Sequence, residues 1–129
     1  MLSDHAAMPV LAVSDLDRAR RFYEETLGLT PAGDVPDGQM YRSGGVLLLV
    51  YRSDYAGTNK ATALSFDVPE DSFDAEVAEL RGRGVTFQQY ELEGVTWEDG
   101  IALMDGMRAA WFEDPDGNIL NISVATATS

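Results

Sequence analysis

Apolar and polar residues alternate along this chain with two periods, and each change of period marks a step from strand to helix or back. The apolar run MPVLAV predicts a first strand over residues 8–13. Apolar side chains then recur at helical spacing over residues 16–27, between Asp15, a residue type that caps helices, and Gly28, a residue type that ends them. The stretches QMYRSG and GVLLLVYRS follow as strands that meet at a Gly-Gly hairpin signal.

The second half of the chain repeats this order of elements. A strand, ATALSFDV, precedes the helical stretch EDSFDAEVAELRGRG, whose apolar residues fall on one face. Four further strands are predicted at VTFQQYEL, GIALM, RAAWFED and NILNISV. The repetition indicates an internal duplication rather than a solenoid, which needs three or more repeats.

Superposing the two halves places VLLLVY on ILNISV, which makes Leu48 the counterpart of Asn121. We therefore predict an α+β fold over residues 8–124, built from two βαβββ modules at about 8–60 and 61–124, with flexible ends at 1–7 and 125–129.

The last two strands are joined by the turn DPDGN, whose acidic side chains we expect to shape the turn through hydrogen bonds to the backbone. Asn121 stands in the apolar strand that follows, where an unpaired amide would cost free energy. Alternation places Asn121 on the face opposite Leu120 and Ile122. Two interpretations remain open: Asn121 contacts a ligand, or it bonds a neighbouring side chain.

The composition narrows the possible partners. The chain has 129 residues, enough for one domain, and its net charge of −13 disfavours binding to nucleic acid while attracting small cations. It has no cysteine, so disulfides and thiolate metal sites are excluded. No apolar run has the ~20 residues of a membrane span. The start MLSDHAAMPV does not resemble a signal peptide, and we expect a cytoplasmic protein.

Two stretches, VSDLDRARRFYEETLGL and AAWFEDPDGNILNI, resemble the signature segments of the vicinal oxygen chelate superfamily. That group includes glyoxalase I, extradiol dioxygenases, and fosfomycin- and bleomycin-resistance proteins. The resemblance implies two βαβββ modules whose eight strands form a U-shaped cleft with helices outside, and a homodimer. It also implies a divalent metal held by His, Gln or Glu on the first and last strands of each module.

The four positions that match those ligands carry Met8, Leu48, Ala63 and Asn121. A methyl or butyl group has no electron pair to donate to a metal, a thioether prefers soft Cu(I), and a neutral amide is a weak ligand. The single histidine, His5, makes no site alone. We therefore expect no metal and no other cofactor.

The segment EGVTWEDGIALMDGMRAAW, interpreted as a loop, supplies further candidate ligand-binding residues: Trp97, Met104, Arg108 and Trp111. The tryptophans can stack on a planar ligand, or they can fill the core or the dimer interface. Arg108 can bind a carboxylate ligand, or it can form a surface salt bridge.

The leading hypothesis is a metal-independent small-molecule binding protein that resembles the bleomycin-resistance type and sequesters a planar, neutral or cationic drug or metabolite. The alternative is a glyoxalase-like lyase or isomerase that uses no metal or non-standard ligands, with Asp67, Glu98 and Asp99 as acid–base candidates. A third possibility is an interaction module that binds no small molecule.

Overall fold

A computed structural model describes residues 1–124, which form two compact units. One unit extends from Met1 to Thr58 and the other begins at Asn59. The flexible end predicted at residues 125–129 lies outside the described residues. At the other end, Leu2–Asp4 forms a single exposed 3₁₀ turn.

The first unit is a four-stranded sheet with one helical element. It contains β1 (Val10–Val13), α1 (Leu16–Arg20) continuing as a π-helical turn (Arg21–Thr26), β2 (Thr30–Val35), β3 (Gly38–Ser43) and β4 (Val46–Arg52). The strand order is β1-β4-β3-β2, with β1 parallel to β4 and the other neighbours antiparallel.

The helix of this unit begins where the sequence predicts. Asp15 accepts a hydrogen bond from the backbone N–H of Arg18 (3.1 Å), and this bond lowers the pKa of the Asp15 carboxyl. Gly28, which follows the helical residues, has a φ of +74°, a conformation that favours glycine. Both predicted ends are confirmed.

The core of the first unit lies on one face of its sheet. The rings of Tyr23 and Tyr41 stack with centroids 6.0 Å apart, and the Tyr41 hydroxyl donates to Glu24 (2.8 Å). Burial and this hydrogen bond raise the pKa of Tyr41. The buried side chains of this core that come from strands include Leu11, Val13, Tyr41, Leu48 and Val50.

The second unit is a five-stranded sheet with one α-helix. It contains β5 (Thr62–Val68), a 3₁₀ turn (Glu70–Ser72), α2 (Phe73–Gly82), β6 (Thr96–Glu98), β7 (Ile101–Met104), β8 (Met107–Glu113) and β9 (Ile119–Val124). The strand order is β5-β9-β8-β7-β6, with β5 parallel to β9. Its core contains Phe73, Val77, Leu80, Ala110, Phe112, Leu120, Ile122 and Val124.

The two sheets confirm the α+β class, with nine strands over residues 1–124 where the resemblance implied eight. The strand predicted at VTFQQYEL is wrong, since this stretch makes only an isolated bridge between Gln88 and Trp111. The reason is that β7 pairs with β8 at residues 107–109, so this edge of β8 can accept another segment only near Trp111.

Two strands have no counterpart in the sequence prediction. All six residues of β2 are exposed, so the strand shows no apolar alternation, and it includes Pro31, which is tolerated at a sheet edge. The edge strand β6 has three residues, too few to establish a period, and it lies in the segment interpreted as a loop.

No helix among the described residues is long and apolar enough to cross a membrane.

The turn between β8 and β9 is organised by one buried carboxylate. Asp114 is 5% exposed and accepts hydrogen bonds from the backbone N–H groups of Asp116 and Asn118 (both 2.9 Å). Its other oxygen accepts from the Asn118 side-chain amide (2.7 Å). The expectation that acidic side chains shape this turn through the backbone is confirmed for Asp114.

We predict that Asp114→Ala lowers the free energy of unfolding by about 2–3 kcal/mol, because three N–H donors lose a charged acceptor. Guanidinium denaturation measures the loss. Asp114→Asn keeps one acceptor oxygen, so it is expected to cost less. A loss below about 0.5 kcal/mol for the alanine variant contradicts this account of the turn.

Candidate functional site

Asn121 lies on the face of the second sheet that points away from α2. It alternates along β9 with Leu120 and Ile122, which belong to the core. The side chain is 6% exposed, and its Oδ1 accepts a hydrogen bond from the Ser65 hydroxyl (2.7 Å). Of the two interpretations of Asn121, the structure therefore shows the bond to a neighbouring side chain.

The predicted equivalence of Leu48 with Asn121 is wrong by one residue. In the parallel strand pairs, Val10 is opposite Leu49 and Ser65 is opposite Asn121, so the counterpart of Asn121 in the first unit is Leu49. Leu48 is 1% exposed and belongs to the core face. A one-residue shift in register moves every side chain to the other face of a sheet, and this is the error.

The other two predicted ligand positions also lack donors for a hard metal ion. Met8 precedes β1, and its side chain is 37% exposed. Ala63 is the extra residue of a bulge, because Thr62 and Leu64 pair with successive residues of β9. No group of three or more His, Cys, Asp or Glu side chains within residues 1–124 is placed to hold a metal ion. The donor set does not fit the metal centre that the family resemblance implies.

Three aromatic side chains meet in the second unit. The ring centroids of Trp97 and Trp111 are 6.0 Å apart, and those of Tyr90 and Trp111 are 6.1 Å apart in an edge-to-face arrangement. We call Tyr90, Trp97 and Trp111 the aromatic cluster. Trp111 is the strand neighbour of Asn121, so the cluster lies beside the Asn121–Ser65 pair.

The backbone and one hydroxyl hold Trp111 in place. Its indole N–H donates to the Thr62 hydroxyl (3.2 Å), and its carbonyl accepts from the backbone N–H of Gln88 (2.7 Å). This second contact brings the loop before β6 against β8 and places Tyr90 near Trp111. Sequence reasoning missed Tyr90 because the segment was interpreted as a regular strand.

The same loop, together with Trp97 of β6, lines an open depression of about 480 Å³. Glu91 and Glu93 give this lining negative charge, and the exposed side chain of Leu92 makes part of it apolar. The lining residues are Gln89, Tyr90, Glu91, Leu92, Glu93, Val95 and Trp97. A mixed apolar and acidic surface beside aromatic rings suits a ligand that is flat and not negatively charged.

Arg108 is turned toward α2, away from the aromatic cluster. Its guanidinium binds the carboxylates of Asp74 (2.7 Å) and Glu70 (3.1 Å) and lies 4.6 Å from the centre of the Phe73 ring. Of the two alternatives for Arg108, the structure therefore shows the salt bridge, and the contact with a carboxylate ligand stays a prediction. Arg108 alternates along β8 with Ala109 and Trp111, so the strand period places it on the core face.

Met104 is the last residue of β7, and it pairs with Met107 across the hairpin to β8. It alternates with Leu103 and so shares a face with Ala102, which pairs with Trp97. Met104 therefore lies on the same sheet face as the cluster, toward the end of the hairpin.

The negative charge is concentrated in the second unit. Residues 1–58 contain eight acidic and five basic side chains, a balance of −3, whereas residues 59–129 contain fourteen acidic and four basic ones, a balance of −10. The three arginines of the second unit are paired with acids: Arg81 with Asp99, Arg83 with Glu79, and Arg108 with Glu70 and Asp74. A cation near the aromatic cluster therefore meets an attractive field.

Comparison with solved structures gives the same fold at low sequence identity. Lactoylglutathione lyase from Agrobacterium tumefaciens superposes with a TM-score of 0.71 at 17% identity, covering 96% of both chains. A glyoxalase/bleomycin resistance protein/dioxygenase from Alicyclobacillus acidocaldarius gives 0.70 at 20% identity, covering 95% of this chain and 92% of that one. The fosfomycin resistance protein FosX from Listeria monocytogenes, in its complex with Mn(II) and sulfate, gives 0.69 at 13% identity, covering 95% and 91%.

No curated protein matches this chain by sequence. The family model described as Glyoxalase/Bleomycin resistance protein/Dioxygenase superfamily matches residues 3–122, nearly the whole chain. The chain therefore belongs to the glyoxalase/bleomycin resistance protein/dioxygenase superfamily.

Proposed function

We propose that this protein binds a small planar molecule, neutral or cationic, without a metal, and sequesters it as bleomycin-resistance proteins do. The observation that carries the proposal is the aromatic cluster of Tyr90, Trp97 and Trp111 beside an open depression in a unit with a charge balance of −10. Membership of the superfamily supports small-molecule binding in general.

The chemistry of the cluster favours a flat ring system. Trp97 and Trp111 are each half-buried, so each indole keeps accessible surface on which a ring can stack. Such a contact stabilises a complex by about 0.5–1.5 kcal/mol beyond area burial, and a cation over the ring adds about 0.5–2 kcal/mol. The acidic side chains at Glu91 and Glu93 complement the positive charge.

The alternative function is a glyoxalase-like lyase or isomerase, and the likeness of fold to lactoylglutathione lyase supports it. Metal-free chemistry of this kind needs a positioned base. Of the three candidates from the sequence, Asp99 is bound to Arg81 (3.2 Å), while Asp67 and Glu98 are exposed. The arrangement of the acids therefore favours the binding function over catalysis.

We predict that proflavine, a planar aromatic cation, quenches the tryptophan fluorescence on titration, and that Trp97→Ala weakens its binding about tenfold, or ~1.4 kcal/mol. Tyr55→Ala is the matched control, because Tyr55 is an exposed aromatic residue of the first unit, outside the cluster. High salt is expected to lower the association rate constant and to change the dissociation rate constant less. A response to benzoate but not to proflavine contradicts the proposed ligand class.

We predict that the purified protein carries no stoichiometric divalent metal, because the ligand positions hold Met8, Leu49, Ala63 and Asn121. Elemental analysis after dialysis against Mn²⁺, Ni²⁺ or Zn²⁺ and then against buffer measures this. One tightly held ion per chain contradicts the metal-independent function and favours the enzyme.

We also propose a homodimer, supported by an exposed apolar face on the first sheet. This face points away from α1 and includes Val10 (52% exposed) and Tyr51 (37% exposed), with Leu49 beside them. Apolar surface of this kind is commonly covered by a partner.

The expected result is a dimer by light scattering at micromolar concentration, which Val10→Lys converts to the 14.0 kDa monomer. Val46→Lys is the matched control: Val46 is 51% exposed but alternates with Leu47 and lies on the opposite face of the sheet. A monomeric wild-type protein rules the dimer out, and equal effects of the two variants rule out this interface.

A further inference from the structure

The hairpin that carries Trp97 is held to helix α2 by one arginine. Arg81 lies in the last turn of α2, and its guanidinium reaches the tip of the β6–β7 hairpin. One nitrogen, Nη1, binds the Asp99 carboxylate (3.2 Å), and the other, Nη2, donates to the carbonyl oxygen of the same residue. A planar guanidinium that binds two groups of one residue restrains both its position and its orientation.

The tip of the hairpin is itself in a restricted conformation. Asp99 and Gly100 have φ angles of +51° and +79°, the combination found in tight two-residue hairpin turns. A Cβ added at Gly100 would lie 3.4 Å from Arg81 Nη2, so the turn and the guanidinium are in close contact. Trp97 stands two residues before Asp99, on a strand of only three residues at the edge of the sheet.

The guanidinium is in turn supported by the core. Its carbon lies 5.4 Å from the centre of the Phe87 ring, and Phe87 packs edge-to-face on Phe112 of β8 at 5.8 Å. Phe112 directly follows Trp111. The contacts from Arg81 therefore lead to both tryptophans, to one through the hairpin tip and to the other through the core.

We propose that Arg81 is a positioning residue for the aromatic cluster: through Asp99 it sets the distance and tilt of Trp97 relative to Trp111. A short edge strand has pairing on one side only and few hydrogen bonds, so its position depends on such a tertiary contact. Without the contact the strand keeps its pairing to β7 but loses its attachment to α2. The effect on ligand affinity rests on the proposed function, whereas the effect on the geometry of the two tryptophans does not.

The first experiment needs no ligand. The two indoles, with centroids 6.0 Å apart and planes inclined by 52°, are expected to give an exciton couplet in far-ultraviolet circular dichroism. Trp97→Phe identifies the signal by abolishing it. Arg81→Gln is expected to reduce the couplet by half or more, because the mutual orientation of the rings is no longer restrained.

Arg83→Gln is the matched control. Arg83 directly follows the same helix, and its substitution removes the same charge, but the Arg83 guanidinium binds Glu79 of that helix (2.8 Å). Asp99→Asn serves as a second, milder variant: asparagine tolerates the positive φ, and the backbone carbonyl remains available to Arg81. We expect the wild-type couplet for Arg83→Gln and an intermediate one for Asp99→Asn, with native thermal transitions for both.

The second experiment measures proflavine binding to the same variants. Arg81→Gln is expected to lower the affinity about five- to tenfold while Arg83→Gln leaves it unchanged. A couplet in Arg81→Gln equal to that of the wild type overturns the positioning role. A reduced couplet in a protein that never binds proflavine supports the positioning role and counts against the proposed function alone.

Discussion

Strand pairing determines which side chains of each unit form the core and which lie on the opposite sheet face. In the second unit, β5 runs parallel to β9 with Ser65 opposite Asn121 and Phe66 opposite Ile122. A shift of one residue would bury Asn121 against α2 and expose Ile122, at a cost of several kcal/mol for the amide and the lost apolar burial. This register therefore holds the polar pair and the aromatic cluster on one face, on which our functional proposal depends.

Arginines in the second unit are paired with carboxylates on or near helix α2. Arg108 lies over Phe73 and binds the start of the helical segment at Glu70 and Asp74. Arg81, in the last turn of α2, binds Asp99 at the tip of the β6–β7 hairpin. The pairs are partly exposed, so each contributes little to stability, on the order of 0.2–1 kcal/mol. Their larger effect is on geometry, since they join the helix to the strands that carry Trp97 and Trp111.

The superfamily fold is present without the donors that the family's metal chemistry uses. The positions that the resemblance matches to the family's ligands carry a thioether, two aliphatic side chains and an amide, and the amide oxygen accepts a hydrogen bond from Ser65. In our proposal the binding energy comes instead from stacking and charge, which need only accessible rings and nearby carboxylates. The fold allows such a function without the family's metal chemistry, because a fold positions side chains without prescribing what they do.

The sequence by itself determined the fold class, the family resemblance, the Asp15 cap and the turn at Asp114, because these depend on local period and on contacts between near neighbours in the chain. It also identified both tryptophans and the open question at Asn121. It placed Leu48 on the wrong face, it left the partner of Arg108 undecided, and it missed Tyr90 and the strands β2 and β6. Each of these depended on which residue lies opposite which across a sheet, or on which helix lies near a strand. Only the tertiary structure decides such pairings, because the partners are far apart along the chain, and because residues 46–50 are apolar at every position and so show no alternation that would indicate which of them face the core.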